Sequence, residues 1–277
     1  MDIILYIKAI ILGLVEGLTE FAPVSSTGHM IIVDDLWLNT NDFMGQEVAN
    51  TFKVVIQLGS ILAVVVVFWE RFLDLLGLRK KSYKLGEKPG GHLKLSHVIV
   101  GLLPAGVLGV LFEDIIDEKL FGTETVLIGL VLGAILMIVA DQVTKRKPKI
   151  ETVDQITYKQ ALSIGLIQCL SLWPGFSRSG ATISGGVLMG LSHRAASDFT
   201  FIMAVPIMAG ASFLSLLKKL EYFVPEYIPF FIAGFISAFV FALLAIKFFL
   251  KLIEKIKLTP FAIYRIVIAA IIFFIYF

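Results

Sequence analysis

Long uninterrupted runs of apolar residues dominate the chain and predict membrane-spanning helices. Segments of roughly 17–25 apolar residues are long enough to cross a bilayer as helices. The runs lack the alternation of apolar and polar positions that membrane β-strands require. The pattern therefore predicts an all-α polytopic membrane protein. We assign six transmembrane helices, at residues 52–69, 96–112, 123–140, 199–217, 229–250 and 260–277.

Two further apolar segments, residues 2–38 and 158–191, are each broken by a cluster of proline, glycine and serine. Non-helical backbone at membrane depth is tolerated only where it is buried in protein or lines a wet cavity. Because the six spans alternate across the bilayer, each broken segment must return to its own side or cross an even number of times. We favour two re-entrant helical hairpins, one from each side.

Basic residues concentrate in three connecting segments and predict which side is cytoplasmic. Sixteen of the 24 lysines and arginines lie in residues 71–94, 142–160 and 247–257. Lysine and arginine in short loops mark the cytoplasmic face. The segment 113–124 is acidic and is predicted to be a loop on the outer side, which also places the C-terminus outside.

A weak internal repeat suggests how the spans are organised. A shift of 152 residues aligns residues 13–28 with 165–180, with five identities in sixteen positions. We predict a single membrane domain over 1–277, made of a first inverted repeat at 1–144 and a second at 145–277. In inverted repeats with paired interrupted segments, the functional site lies near the bilayer midplane where the two segments meet.

Composition supports a membrane protein and excludes several other classes. The chain is 57% hydrophobic and 17% charged, with a mean hydropathy of +0.89. Soluble domains average about 25% charged residues. The single cysteine, Cys169, permits no internal disulfide and no cysteine-based metal site. A net charge of +2 indicates no nucleic-acid partner, and the sequence leaves a homodimer open.

The first broken segment contains the motif EGLTEFAPVSSTGH at residues 16–29. Glu16 and Glu20 are four residues apart, so on a helix both face one way. Ionisable groups within the membrane are costly and are functional candidates by default. Two adjacent carboxylates repel each other unless they share a proton or a cation. The alternative is that each glutamate lies solvated at a helix end.

Hydroxyl groups and a histidine follow the two glutamates. Ser25, Ser26 or Thr27 could serve as a nucleophile activated by a neighbouring Glu or by His29. Alternatively, these hydroxyls cap the half-helix that follows. His29 could equally be a hydrogen-bonded core histidine.

The second broken segment contains PGFSRSGAT at residues 174–182. Arg178 keeps its charge in a protein, and its guanidinium fork suits a phosphate. The flanking serines and glycines allow backbone N–H groups at a helix N-terminus to converge on the same anion. A structural ion pair between Arg178 and Glu16 or Glu20 is the alternative. Together with the first motif, these residues indicate phosphoryl transfer.

The two motifs resemble the signature motifs of the bacterial undecaprenyl-diphosphate phosphatase family, known also as bacitracin-resistance proteins, and the resemblance extends over the whole chain. It implies hydrolysis of undecaprenyl diphosphate to undecaprenyl phosphate, the recycled lipid carrier for peptidoglycan synthesis. It further implies a bacterial inner-membrane location, substrate entry from the outer leaflet, and a divalent cation, Mg²⁺ or Ca²⁺. A polyprenyl-phosphate transporter or flippase using the same midplane site is the competing hypothesis.

The resemblance also implies roles for individual residues. Glu16 and Glu20 correspond to the acidic pair, predicted to hold or orient the cation, with Glu20 assisting as base. Ser26 is predicted to attack phosphorus or to orient a water. The predicted catalytic residues are Glu20, Ser26, His29 and Arg178, and the predicted phosphate-binding residues are Ser25, Ser177, Arg178 and Thr182.

Overall fold

The computed structural model describes residues 3–78, 92–120, 122–143 and 148–277. Within them the chain is almost entirely helical, with no β-strand and one isolated bridge between Ile150 and Leu191. The α-helices are α1 (Ile3–Thr19), α2 (Ser26–Met30), α3 (Thr40–Met44), α4 (Gln46–Val67), α5 (Trp69–Leu75), α6 (Leu95–Leu111), α7 (Glu113–Leu120), α8 (Thr123–Val143), α9 (Tyr158–Gln168), α10 (Arg178–Leu188), α11 (His193–Lys218), α12 (Ile228–Ile256) and α13 (Thr259–Tyr276).

Eight of the basic residues in the segments used above to predict orientation lie outside the described residues: Arg79, Lys80, Lys81, Lys84, Lys88, Lys145, Arg146 and Lys147.

The prediction of an all-α polytopic membrane protein is confirmed. In the described ranges, five helices are long and apolar enough to cross a bilayer: α4, α8, α11, α12 and α13. The remaining predicted span, residues 96–112, corresponds to α6. This helix passes the same test only together with α7, which follows it after a bend of 75°. Six spans plus two re-entrant hairpins, as an exact count, stays a prediction.

The acidic segment 113–124 is not simply a loop, because α7 occupies Glu113–Leu120. Glu113 and Asp114 lie in the first turn and Lys119 lies in the last. Negative charge near a helix N-terminus and positive charge near its C-terminus both stabilise the helix dipole. The charge order along the segment therefore favours a short helix.

Both predicted interruptions are present. Helix α1 ends at Thr19 and the chain becomes helical again at Ser26, where α2 runs on into a π-helical segment, Ile31–Leu38. Helix α9 ends at Gln168, and after a 3₁₀ turn and a non-helical stretch α10 begins at Arg178. Each half-helix is therefore preceded by irregular backbone.

A matching strain occurs just before each half-helix. Ser25 and Ser177 precede α2 and α10 with φ of 69° and 74°, a region that non-glycine residues rarely adopt. The two positions are related by the same 152-residue shift as the sequence repeat. Such strain persists only where the surrounding structure enforces it, and it clusters at functional sites.

Helix packing follows an exchanged pattern. Helix α1 packs on α12, and α9 packs on α6; likewise, α2 contacts α13, and α10 contacts α8. The first broken segment therefore packs against spans of the C-terminal half, and the second broken segment packs against spans of the N-terminal half. The division into repeats at 1–144 and 145–277, and their opposite orientation, stay predictions.

Close backbone contact between α1 and α12 requires glycine at two positions one turn apart. A Cβ added at Gly13 would meet the carbonyl oxygen of Gly234, and one at Gly17 would meet the carbonyl oxygen of Ala238. Small residues allow membrane helices to approach this closely. The contact anchors the helix that carries Glu16 at its buried side.

Replacing Gly13 by alanine should therefore destabilise the protein. Forcing a methyl group into this contact costs about 1–3 kcal/mol of unfolding free energy, as overpacking does in other cores. Thermal denaturation in detergent measures the effect. Gly106→Ala on α6 is the matched control, because a Cβ there meets no heavy atom of the described residues within 4 Å. Equal melting temperatures for the two variants would contradict the packing argument.

Candidate active site

A polar cavity of about 200 Å³ lies where the two broken segments meet. Helix α2 begins at one wall and α10 begins at another, because Ser26 and Arg178 both line the cavity. The positive ends of two helix dipoles therefore open onto the same space, and both favour an anion. The lining residues are Glu20, Ser25, Ser26, Thr27, Gln57, Ser171, Trp173, Pro174, Gly175, Ser177 and Arg178.

An ion pair joins the two predicted motifs across the cavity wall. The Arg178 Nη2 donates to Glu20 Oε1 at 3.1 Å, and both side chains are largely buried. The guanidinium also lies over the ring of Phe21, 5.6 Å from its centroid, and its Nε has no hydrogen-bond partner in the described part of the chain. The ion pair considered as a structural alternative is thus present, but both partners face the cavity.

The other carboxylate oxygen of Glu20 accepts a hydrogen bond from Ser26. The Ser26 Oγ lies 2.7 Å from Glu20 Oε2. A hydroxyl donating to a carboxylate at this distance is the arrangement of a nucleophile beside its general base. The capping alternative has no support at Ser25, which occupies the N-cap position of α2 without a side-chain cap hydrogen bond.

The second motif ties the two loops together. Ser177 Oγ accepts from the Gly180 N–H at 3.2 Å, so Ser177 caps α10 while also lining the cavity. Ser179 Oγ donates to the carbonyl oxygen of Ala22 at 3.1 Å. Arg178 also donates to the carbonyl oxygen of Thr200 through Nη1 at 3.4 Å. The side chain of Arg178, which belongs to the second broken segment, is therefore held by the first broken segment and by α11.

Three predicted site residues do not line the cavity. His29 has Nδ1 2.8 Å from the carbonyl oxygen of Ser25 and Nε2 2.8 Å from the Tyr264 hydroxyl, so it faces a different, mainly apolar pocket. Thr182 is fully buried and donates to the carbonyl oxygen of Arg178 at 2.8 Å, within its own helix. Glu16 lies one turn behind Glu20.

The contacts of His29 and Thr182 match those of structural residues. His29 is hydrogen-bonded on both ring nitrogens, as the core-histidine alternative expects. The Thr182 hydroxyl also accepts from the Thr200 hydroxyl at 2.9 Å, which joins α10 to α11. In this structure neither side chain is placed to contact a phosphate in the cavity.

The glutamate pair can be tested as a cation site. No cluster of three His, Cys, Asp or Glu side chains suited to a metal occurs among the described residues. Mg²⁺, however, is often held by one or two carboxylates together with substrate phosphates. Glu16 is buried, and its Oε1 has no hydrogen-bond partner in the described chain. A substrate-bound cation therefore fits Glu20 with Glu16 behind it, whereas an all-protein metal site does not.

Sequence reasoning missed three residues at or near the cavity. Ser171 and Trp173 line it, and the repeat pairs them with Thr19 and Phe21 in the first motif. Arg265 is fully buried on α13 and contacts the loop before Ser177. The rule that singled out Glu16, an ionisable group inside an apolar segment, would have found Arg265 as well.

These features define an integral membrane enzyme whose cavity combines a hydroxyl, a carboxylate and an arginine around a space suited to an anionic group. The family model described as Bacitracin resistance protein BacA matches residues 9–271. The chain belongs to this family.

Curated relatives cover almost the whole chain. A protein of Geobacillus sp. (strain WCH70) named undecaprenyl-diphosphatase is 73% identical over 277 residues, which is 100% of both chains. A protein of Geobacillus kaustophilus (strain HTA426) with the same name is 74% identical over 272 residues, covering 98% of this chain and 97% of the relative. Another of that name, from Bacillus subtilis (strain 168), is 64% identical over 263 residues, 95% of each chain.

Proposed function

We propose that this chain is an integral membrane phosphatase that hydrolyses undecaprenyl diphosphate to undecaprenyl phosphate and inorganic phosphate, the activity for which its relatives are named. The observation that carries the proposal is the Ser26–Glu20–Arg178 arrangement, in which one carboxylate accepts from a hydroxyl and pairs with an arginine. Such an activity would recycle the lipid carrier for peptidoglycan synthesis and confer bacitracin resistance.

The mechanism follows from these contacts. The terminal phosphate binds in the cavity against Arg178 and the N-terminus of α10, which stabilise charge on its non-bridging oxygens. Glu20 accepts the Ser26 proton as Oγ forms a bond to the terminal phosphorus. The bond from that phosphorus to the bridging oxygen breaks, and undecaprenyl phosphate leaves. Water then hydrolyses the phosphoserine, which releases inorganic phosphate and restores the serine.

Two variations share the same residues. In one, Ser26 orients an attacking water and no phosphoserine forms. In the other, His29 attacks, which would require its ring to leave Tyr264 and turn toward the cavity. Trapping a phospho-enzyme and mapping the modified residue distinguishes these two variations from attack by Ser26. Phosphorylation at Ser26 indicates attack by Ser26, phosphorylation at His29 indicates attack by His29, and no phospho-enzyme indicates attack by water.

A divalent cation, Mg²⁺ or Ca²⁺, is proposed to act with the diphosphate at Glu20 and Glu16. When bound, it would neutralise charge on the phosphate oxygens. We expect EDTA to abolish phosphate release from undecaprenyl diphosphate and added Mg²⁺ or Ca²⁺ to restore it. Melting temperature with and without EDTA is the control, since loss of activity must occur without unfolding. Full turnover in EDTA would refute the cation proposal while leaving the phosphatase proposal intact.

The experiment that tests the function is phosphate release by purified protein in detergent micelles. A phosphatase releases phosphate there, whereas a transporter needs a sealed membrane to show activity. Release from undecaprenyl diphosphate is the expected result. Its absence from well-folded protein would refute the phosphatase proposal.

We also propose that the protein lies in the bacterial inner membrane with its cavity open to the outer face. The basic segments at 71–94, 142–160 and 247–257 support the cytoplasmic side, because such segments remain cytoplasmic. Trp173, which lines the cavity, donates to the carbonyl oxygen of Thr125 in the first turn of α8, at the opposite end of that helix from the basic segment 142–160, and this supports an opening toward the outer face. A homodimer is compatible with the proposal, which does not depend on one.

A further inference from the structure

A second arginine lies deep in the protein, outside the set assigned to the cavity. Arg265 on α13 is fully buried, and in the described chain it has no acidic partner. Its Nη2 donates instead to three backbone carbonyl oxygens: Gly175 at 2.8 Å, Phe176 at 2.8 Å and Gly129 at 3.3 Å. Burying a cation without a counter-ion is costly, so these contacts need an explanation.

Two of these carbonyl groups, those of Gly175 and Phe176, belong to the part of the second motif that precedes α10, whereas Gly129 lies on α8. Gly175 has φ of 85°, which glycine adopts readily, whereas Ser177 has φ of 74°, which is unfavourable for a residue with a side chain. Helix α10 starts at the next residue, Arg178. A contact that holds Gly175 and Phe176 in place therefore also determines where Ser177 and Arg178 lie.

Pinning the Phe176 carbonyl orients the next amide as well. The chain has no cis peptide bond in its described residues. In a trans peptide the C=O and the following N–H point in opposite directions. The Ser177 N–H is therefore directed away from Arg265, and Ser177 itself lines the cavity.

Two glycines make the slot that holds the guanidinium. A Cβ at Gly133 on α8 would collide with Arg265 Nη2 and with the carbonyl oxygen of Phe176. A Cβ at Gly180 on α10 would lie 2.9 Å from Arg265 Nη1. The guanidinium is thus clamped between two helices and the loop, which a planar fork fits and a lysine ammonium does not.

We propose that Arg265 is a positioning residue for the reaction: by holding the carbonyl oxygens of Gly175 and Phe176, it keeps Ser177 and Arg178 directed into the cavity. The inference rests on the proposed phosphatase function. Arg265 touches neither the cavity nor Arg178's partner Glu20 in the described structure, so it acts through the loop.

Arg265→Lys tests the proposal because it keeps the positive charge and removes the fork. We expect kcat per folded enzyme for undecaprenyl diphosphate to fall about 10–10²-fold, the scale of loss from a small misplacement of a reacting group. KM should change far less. Ile272→Ala is the control for structural loosening, since Ile272 packs fully buried on the same helix α13 against α8. It should lower the melting temperature and leave kcat per folded enzyme unchanged.

Gly133→Ala leaves Arg265 unchanged and adds a methyl group that collides with its guanidinium and with the carbonyl oxygen of Phe176. We expect the same fall in kcat as for Arg265→Lys, while Gly106→Ala, a helix glycine with open space in the described structure, should retain wild-type kcat. This pair carries the test if Arg265→Lys fails to fold. Wild-type kcat per folded enzyme in Gly133→Ala would overturn the proposal, as it would in Arg265→Lys.

A double variant separates positioning from an independent effect. Ser177→Ala removes a hydroxyl that lines the cavity at the end of the loop that Arg265 holds. If Arg265 acts through this loop, the combined loss in Ser177→Ala with Arg265→Lys is smaller than the product of the single losses. Losses that simply multiply would overturn the proposal.

Measuring Arg178→Ala in parallel keeps this inference distinct from the proposed function. Impaired turnover in Arg178→Ala together with wild-type turnover in Arg265→Lys would remove only the positioning role. Wild-type turnover in Arg178→Ala would instead refute the proposed active site on which the inference rests.

Discussion

Replacing Arg178 by alanine should lower kcat for undecaprenyl diphosphate about 10²–10³-fold, the loss typical of removing one electrostatic donor to a transition state. Arg178 is the only side chain lining the described cavity that carries a positive charge. Its guanidinium faces the space where the terminal phosphate is proposed to bind. Charge on the phosphate oxygens would then lose its main side-chain partner at the moment of transfer.

The measurement is steady-state phosphate release in detergent, normalised to folded enzyme. Arg194→Ala is the matched control, because Arg194 forms partly exposed ion pairs with Asp198 and Glu254 away from the cavity. Exposed pairs of this kind contribute at most about 1 kcal/mol, so this variant should remain active. Wild-type turnover in Arg178→Ala would eliminate the proposed active site.

Glu20→Gln should have an effect at least as large on the rate, and a further effect on stability. Glutamine cannot take the Ser26 proton, and loss of a general base typically costs about 10²–10⁴ in rate. It also leaves the guanidinium of Arg178 without its carboxylate. Breaking a buried ion pair by removing one partner costs up to about 3–5 kcal/mol, and water in the cavity should reduce that cost.

Activity and melting temperature must therefore be measured together for Glu20→Gln. Glu47→Gln is the matched control: Glu47 pairs with Lys219 on the exposed surface at 2.9 Å. We expect Glu47→Gln to change neither quantity appreciably. A Glu20→Gln enzyme that turns over normally would show that Ser26 needs no base at this position, and that the 2.7 Å contact is only structural.

The spacing of two glycines in the sequence also indicated that one helix face packs closely against another helix. Gly13 and Gly17 occur one helical turn apart in the first broken segment, a spacing typical of closely packed membrane helices. Only the structure identified their partner as α12. Spacing on one helix reveals a small face, whereas the identity of the opposing helix depends on the whole arrangement of spans.

Much of the site could be predicted because membranes make polar residues conspicuous. Glu20, Ser26 and Arg178 stood out as polar groups in apolar segments, and the structure brings them together. The breaks before Ser26 and Arg178 followed from proline, glycine and serine in otherwise helical runs. Both inferences rest on local chemistry: an unpaired charge or an unpaired backbone group in lipid is costly wherever it occurs.

Side-chain direction could not be predicted in the same way. His29 belongs to the first motif by position, yet its ring pairs with Tyr264 and faces away from the cavity. Thr182 belongs to the second motif, yet its hydroxyl is bonded within its own helix. A one-residue difference along a helix rotates a side chain by about 100°, so motif membership does not determine which side chains share a cavity.

The sequence by itself therefore determined the class of protein, the approximate limits of its apolar helices, the two interruptions and the residues able to handle a phosphate. Tertiary structure alone decided that Glu20 bridges Ser26 and Arg178, and that Arg265 holds the loop before Ser177. The physical reason is the range of each interaction. Transfer of apolar residues into lipid depends on composition along the chain, whereas a hydrogen bond depends on atoms placed within about 3 Å by distant segments.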